Sequence, residues 1–156
     1  MSVAWVHPRL AFSDSKAASM VRPTEFDEVV TLGSYGSPPP TSTTGDTFIF
    51  PDGEHEYERF EAAADYVVSA LERDETVLVH CARGVSRSSG VSSAALAAYE
   101  GCSLEEAFGR ITEAADRADP LSRIRDSMER YTDDTLDDYR SQGPSIQWGN
   151  RDDGDA

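Results

Sequence analysis

Apolar positions along the chain change their spacing in a way that separates short strands from amphipathic helices. Val3 to Val6 and Glu28 to Leu32 (EVVTL) are short runs rich in β-branched residues and predict two strands, with one or two helical turns between them around Asp14 to Met20. Thr47 to Phe50 (TFIF) predicts another strand, stopped by the turn tripeptide Pro51-Asp52-Gly53. From Glu54 the period lengthens. Tyr57, Phe60, Ala64, Val67, Val68 and Leu71 fall at spacings of three and four, with acids on the opposite face, which predicts a helix.

Thr76 to Val79 (TVLV) is apolar throughout, the pattern of a strand buried on both faces of a parallel sheet. It runs into HCARGVSRSS and then an Ala- and Ser-rich helix to about Tyr99, closed by Gly101. Ser103 with Glu106 forms a capping box for a helix whose buried stripe is Leu104, Ala107, Phe108 and Ile111. Asp119-Pro120 opens a last helix, with Pro at its first position and Leu121, Ile124, Met128 and Tyr131 on one face. The alternation predicts an α/β fold: a single domain with a mainly parallel central sheet of about four or five strands and helices on both faces. Residues 33–45, GSYGSPPPTSTTG, read as a surface loop, either plain or a rim of the active site. The stretch after Tyr139 has no periodicity, so the expected division is a catalytic domain over 1–139 and a mobile acidic tail over 140–156.

Composition narrows the function. A length of 156 residues suits one domain, and 38% hydrophobic residues suffice for a core. Asp and Glu number 29 against 14 Lys and Arg, a formal charge of −15, which argues against binding nucleic acid through many phosphate contacts. Only Lys16 among the basic residues is a lysine, and the acids are spread along the chain. That pattern resembles proteins of extreme halophiles, whose carboxylate surfaces stay soluble in molar salt. Two cysteines are too few for a disulfide framework. The opening MSVAWVHPRL lacks the pattern of an export leader, and no uncharged stretch is long enough to span a bilayer, so a soluble, cytoplasmic protein without membrane partners is expected.

The chemistry concentrates between the TVLV strand and the following helix, in His80-Cys81-Ala82-Arg83-Gly84-Val85-Ser86-Arg87-Ser88. A strand–loop–helix turn of this kind points backbone N–H groups into one concavity at a helix N-terminus, a site for a tetrahedral oxyanion. Gly84 lets the backbone approach a ligand without a Cβ in the way. Partial positive charge from amides and helix favours the thiolate of Cys81, a nucleophile aimed at whatever the loop holds. Arg87 stands at the other end, where its planar fork can hold two oxygens of a phosphoryl group.

HCARGVSRS resembles the signature of the protein tyrosine phosphatase superfamily, Cys-x5-Arg with a preceding His and a following Ser or Thr. Its five fixed positions coincide by chance at no more than about one in 10^5 start sites. TFIFPDGEHEYERF, VLVHC and SLEEAFGRI are similar in order and spacing to the dual-specificity subgroup. The resemblance implies a cysteine-dependent phosphatase of phosphotyrosine and phosphoserine/threonine in proteins, with no cofactor or metal. It implies that Cys81 is the nucleophile and that residues Ala82, Arg83, Gly84, Val85, Ser86 and Arg87 bind phosphate. Asp52, in FPDG some thirty residues ahead of Cys81, would be the general acid, with Asp46, Glu54 and His55 as stand-ins. Ser88 would give its hydroxyl to the Cys81 sulfur, and His80 would orient the loop.

Cys102 reads as a small buried residue, because a helix from Ser86 to Glu100 puts roughly 20 Å between the two thiols at 1.5 Å per residue. With Arg83 as the one extra cation in the loop, a phosphoprotein is a better substrate than a phosphoinositide. Two other readings remain open at this point: a catalytically silent phosphate-binding module, and other thiol chemistry such as sulfur transfer or arsenate reduction. A monomer is the expected state.

Overall fold

A computed structural model describes residues 2–22, 24–33, 45–83 and 86–136. The expected loop between Gly33 and Gly45, the expected tail, and Gly84 and Val85 of the Cys-x5-Arg motif lie outside the described residues.

Five strands form one sheet in the order β1-β2-β5-β3-β4. Strand β1 (Ala4–His7) pairs antiparallel with β2 (Leu10–Asp14), whereas β2 with β5 (Val77–Cys81), β5 with β3 (Glu28–Gly33), and β3 with β4 (Gly45–Ile49) are parallel. The mainly parallel α/β sheet is as expected, with β2 as an addition. Leu-Ala-Phe-Ser-Asp carries no β-branched residue to signal a strand, and burial on both sides supplies its stability instead. Gly33 and Gly45, read as loop ends, are strand residues that pair with Ile49 and Val29.

The faces of the sheet differ in their cover. On one, Leu10, Phe12, Val30, Leu32, Val77 and Val79 pack beneath four helices: α2 (Tyr57–Glu72), α3 (Arg87–Glu100), α4 (Leu104–Ala114) and α5 (Ser122–Thr132). On the other, Ala11, Val29 and Leu78 meet Ala18 and Phe26, brought by the single turn α1 (Ser15–Ala18) and the segment after it. Asp14 caps α1 by accepting the N–H of Ala17 at 2.8 Å.

Local chemistry explains the helix ends. Ser103 accepts the N–H of Glu106 at 3.1 Å, the expected cap of α4. Gly101, at φ 69°, ends α3 in the left-handed conformation that glycine adopts without a Cβ penalty. Helix α2 starts at Tyr57, after the expected Glu54, because the chain bends at residues 52–54 and Glu56 is still extended. Helix α5 starts at Ser122, not at Pro120, since Leu121 is extended and gives its N–H to a side chain of the site.

Small residues let α3 lie close to its neighbours. A Cβ on Gly90 would come within 2.4 Å of Ile124 Cγ2, so the glycine permits α5 to press against α3 near its N-terminus. The ends of β5, α3 and α5 are thereby gathered in one place. Among the described residues no helix is long and apolar enough to cross a membrane.

Candidate active site

Strand β5 delivers His80 and Cys81 to the end of the sheet, where the chain enters the motif. His80 is buried, with Nε2 2.8 Å from Thr31 Oγ1 on β3 and Nδ1 3.4 Å from Ser15 Oγ on α1. Loss of solvent pulls its pKa down to about 4, against the opposing charge of Asp14, so the ring is neutral at pH 7. Ser15 also donates its hydroxyl to the Cys81 carbonyl at 3.2 Å and its N–H to the Ala82 carbonyl at 3.4 Å. The neighbouring strand and helical turn thus hold the start of the loop by its backbone.

Cys81 is buried at 3% exposure. Its Sγ accepts the N–H of Ser88 at 3.3 Å and lies 3.3 Å from Ser88 Oγ, which is in turn 3.5 Å from the Ser13 carbonyl. Arg87, 7% exposed, donates Nη1–H to the Phe50 carbonyl at 2.9 Å, while its buried Nε has no partner among the described residues. Ala82 and Arg83 are exposed.

Asp52 stands on the exposed loop after β4, at the edge of this assembly. Its Oδ1 accepts the hydroxyl of Ser86 at 2.5 Å, and the same hydroxyl oxygen accepts the N–H of Leu121 at 3.0 Å. Ser86 is the residue before α3, where a serine would ordinarily cap the first turn, yet its side chain makes no capping bond. Its hydroxyl is committed to Asp52 and Leu121, which leaves the first turn of α3 without a side-chain cap. The other acids considered are not joined to the motif: Asp46 accepts the N–H of its neighbour Thr47 at 2.8 Å, and Glu54 has no hydrogen bond to the motif among the described residues.

His55, three residues beyond Asp52, lies 2.6 Å by Nδ1 from the Gly53 carbonyl and 2.8 Å by Nε2 from Ser127 Oγ on α5. Neither that link nor the one from Ser86 to Asp52 carries a spacing signal. Cys102 is a free thiol at the far end of α3; it is half-buried instead of buried, because it sits past the helix end at the rim of the core. Burial and the neighbouring Glu106 push its pKa up.

A mainly parallel sheet leads into the Cys-x5-Arg loop, and the loop that carries Asp52 is fastened to Ser86 of that motif, the arrangement of a phosphatase fold. Residues 51–132 match the family described as dual specificity phosphatase, catalytic domain, and the chain belongs to that family. No curated protein matches its sequence. Among solved structures it is similar to Tk-PTP in the active form, with 22% identity and a TM-score of 0.73 over 85% of this chain and 97% of that one. Human DUSP28 is similar at 20% identity and a TM-score of 0.71, over 85% and 94%. The human tyrosine phosphatase-like serine/threonine/tyrosine-interacting protein shares the fold at 15% identity and a TM-score of 0.70, over 83% and 95%. These likenesses establish the fold.

Proposed function

We propose that the chain is a cysteine-dependent protein phosphatase acting on phosphotyrosine and phosphoserine/threonine through a cysteinyl-phosphate, with residues 1–139 as catalytic domain and 140–156 as an acidic C-terminal tail. One observation carries the reading: Cys81, Arg87 and Asp52 meet at one loop, with Ser88 against the sulfur and Ser86 against the carboxylate. The buried Nε of Arg87, without a partner among the described residues, supports a role in holding an oxyanion.

In the first step the Cys81 sulfur attacks phosphorus; the S–P bond forms as the ester P–O bond breaks, and protonated Asp52 gives its proton to the leaving oxygen. In the second, Asp52 takes a proton from water as it attacks phosphorus. The S–P bond breaks, and the hydroxyl of Ser88 stabilises the departing thiolate. Arg87 and the amides from Ala82 to Arg87 hold the equatorial oxygens throughout, so the reaction calls for no metal or cofactor. His80 keeps the start of the loop in register. The single additional cation, Arg83, and the charge of −15 favour a protein substrate over a polyanionic lipid headgroup and suit a soluble, cytoplasmic monomer with no nucleic-acid or membrane partner.

The test is hydrolysis of p-nitrophenyl phosphate by wild type and Cys81→Ser in molar KCl with reductant and EDTA. Turnover that needs Cys81 and survives EDTA is expected, with vanadate still bound by the variant. A folded, reduced wild type that binds a phosphopeptide without turning over would make the protein a phosphate-binding module instead.

A further inference from the structure

His55 occupies a junction that the chemistry above does not use. Its ring packs against Phe50, with centroids 5.2 Å apart, and against Phe60 of α2 at 6.2 Å. A carbonyl can only accept, so Nδ1 carries the proton that reaches the Gly53 oxygen, and in the neutral ring Nε2 accepts the hydroxyl of buried Ser127. Gly53, at φ 145°, adopts a backbone conformation that favours glycine, and its carbonyl is the one His55 holds.

The acid loop is therefore fastened on both sides of Asp52. Ahead of it, Arg87 binds the Phe50 carbonyl; beyond it, His55 ties Gly53 to α5. We propose that His55, with Ser127, is a positioning residue that sets the reach of Asp52 toward the leaving oxygen, an inference that rests on the phosphatase reading. Proton transfer depends on hydrogen-bond distance, and a displacement on the order of an ångström is enough to lose much of its benefit.

His55→Phe keeps an aromatic ring in the stack and removes both hydrogen bonds; Ser127→Ala removes only the tie to α5. Each is assayed on aryl phosphates whose phenols range from strongly to weakly acidic, beside vanadate affinity and a thermal melt. The expected result is a fall in kcat of about tenfold on the weakly acidic phenols and on phosphotyrosine peptide, little change on the strongly acidic ones, and unchanged vanadate binding. In an Asp52→Asn background the same substitutions should add nothing. An equal loss on every substrate, or a further loss beyond Asp52→Asn, would make His55 a fold-stabilising residue only and overturn the proposal. If His55→Phe does not fold, Ser127→Ala decides the matter by the same readouts. Should Asp52→Asn itself show no dependence on the leaving group, the assignment of the acid fails, an outcome separate from a normal Asp52 effect with a flat response at His55.

Discussion

Ser86 donates a hydroxyl hydrogen bond to Asp52 across 2.5 Å and accepts the N–H of Leu121 across 3.0 Å, so one small side chain joins the loop after β4, the Cys-x5-Arg motif and the start of α5. Ser86→Ala should break both links. The Leu121 N–H, buried, would lose its acceptor, at a cost of about 1–3 kcal/mol. Thermal melts should show a lower Tm, and phosphopeptide kcat should fall while Ser86→Thr keeps most of it. Unchanged stability and turnover in the alanine variant would mean that the joint carries no weight.

His80 predicts a pH dependence of stability with a defined sign. Its pKa in the fold, about 4, lies below the ordinary 6.5, so the unfolded chain binds the proton more readily. The neutral ring's contribution is complete above about pH 6.5 and is lost as pH falls towards 4, by about 3 kcal/mol at the limit. His7, whose pKa burial also lowers, adds to the loss in the same direction. Denaturant titrations at pH 7.5 and 4.5, on wild type and His80→Asn, measure it. The asparagine variant should show a smaller drop, and an identical one would assign the acid sensitivity to other groups.

Gly90→Ala sets two effects against each other. Helix propensity favours alanine by about 1 kcal/mol, but the new Cβ would stand 2.4 Å from Ile124 Cγ2 and 3.3 Å from Met128 Sδ, both fully buried. Overpacking of this kind costs about 1–3 kcal/mol, so the variant should melt several degrees lower. A stabilised variant would show that α3 and α5 separate easily.

The distribution of charge predicts salt dependence. With 29 acids against 14 basic residues, self-repulsion in dilute buffer should be relieved by screening. Tm should climb steeply between dilute buffer and molar KCl. A flat response would set aside the likeness to halophile proteins.

Much of this was legible in the sequence because it is local. Cys81 and Arg87 share one motif, α4 carries its own cap at Ser103, and the run in β5 is apolar at every position before His80. Strand β2 was not legible, since its side chains are those of any buried segment and only pairing with β1 and β5 makes it a strand. The links Ser86–Asp52 and His55–Ser127 span 34 and 72 residues. No periodicity encodes such partners; they become neighbours only after the sheet and α5 are in place. The hydroxyl of Ser86 is committed to Asp52 and Leu121, partners that its place in the motif does not announce.

The strand order has a consequence for the chain as it emerges during synthesis. Residues before Val77 contain four of the five strands but only two of the four pairings, β1 with β2 and β3 with β4. Both remaining pairings need β5, which enters between the two pairs and ends in Cys81. Until then β2 and β3 each present an open edge, the kind that recruits other chains. The segment that joins the two halves is thus also the one that brings Cys81, the proposed nucleophile, and the motif has no scaffold to sit on until the sheet has closed.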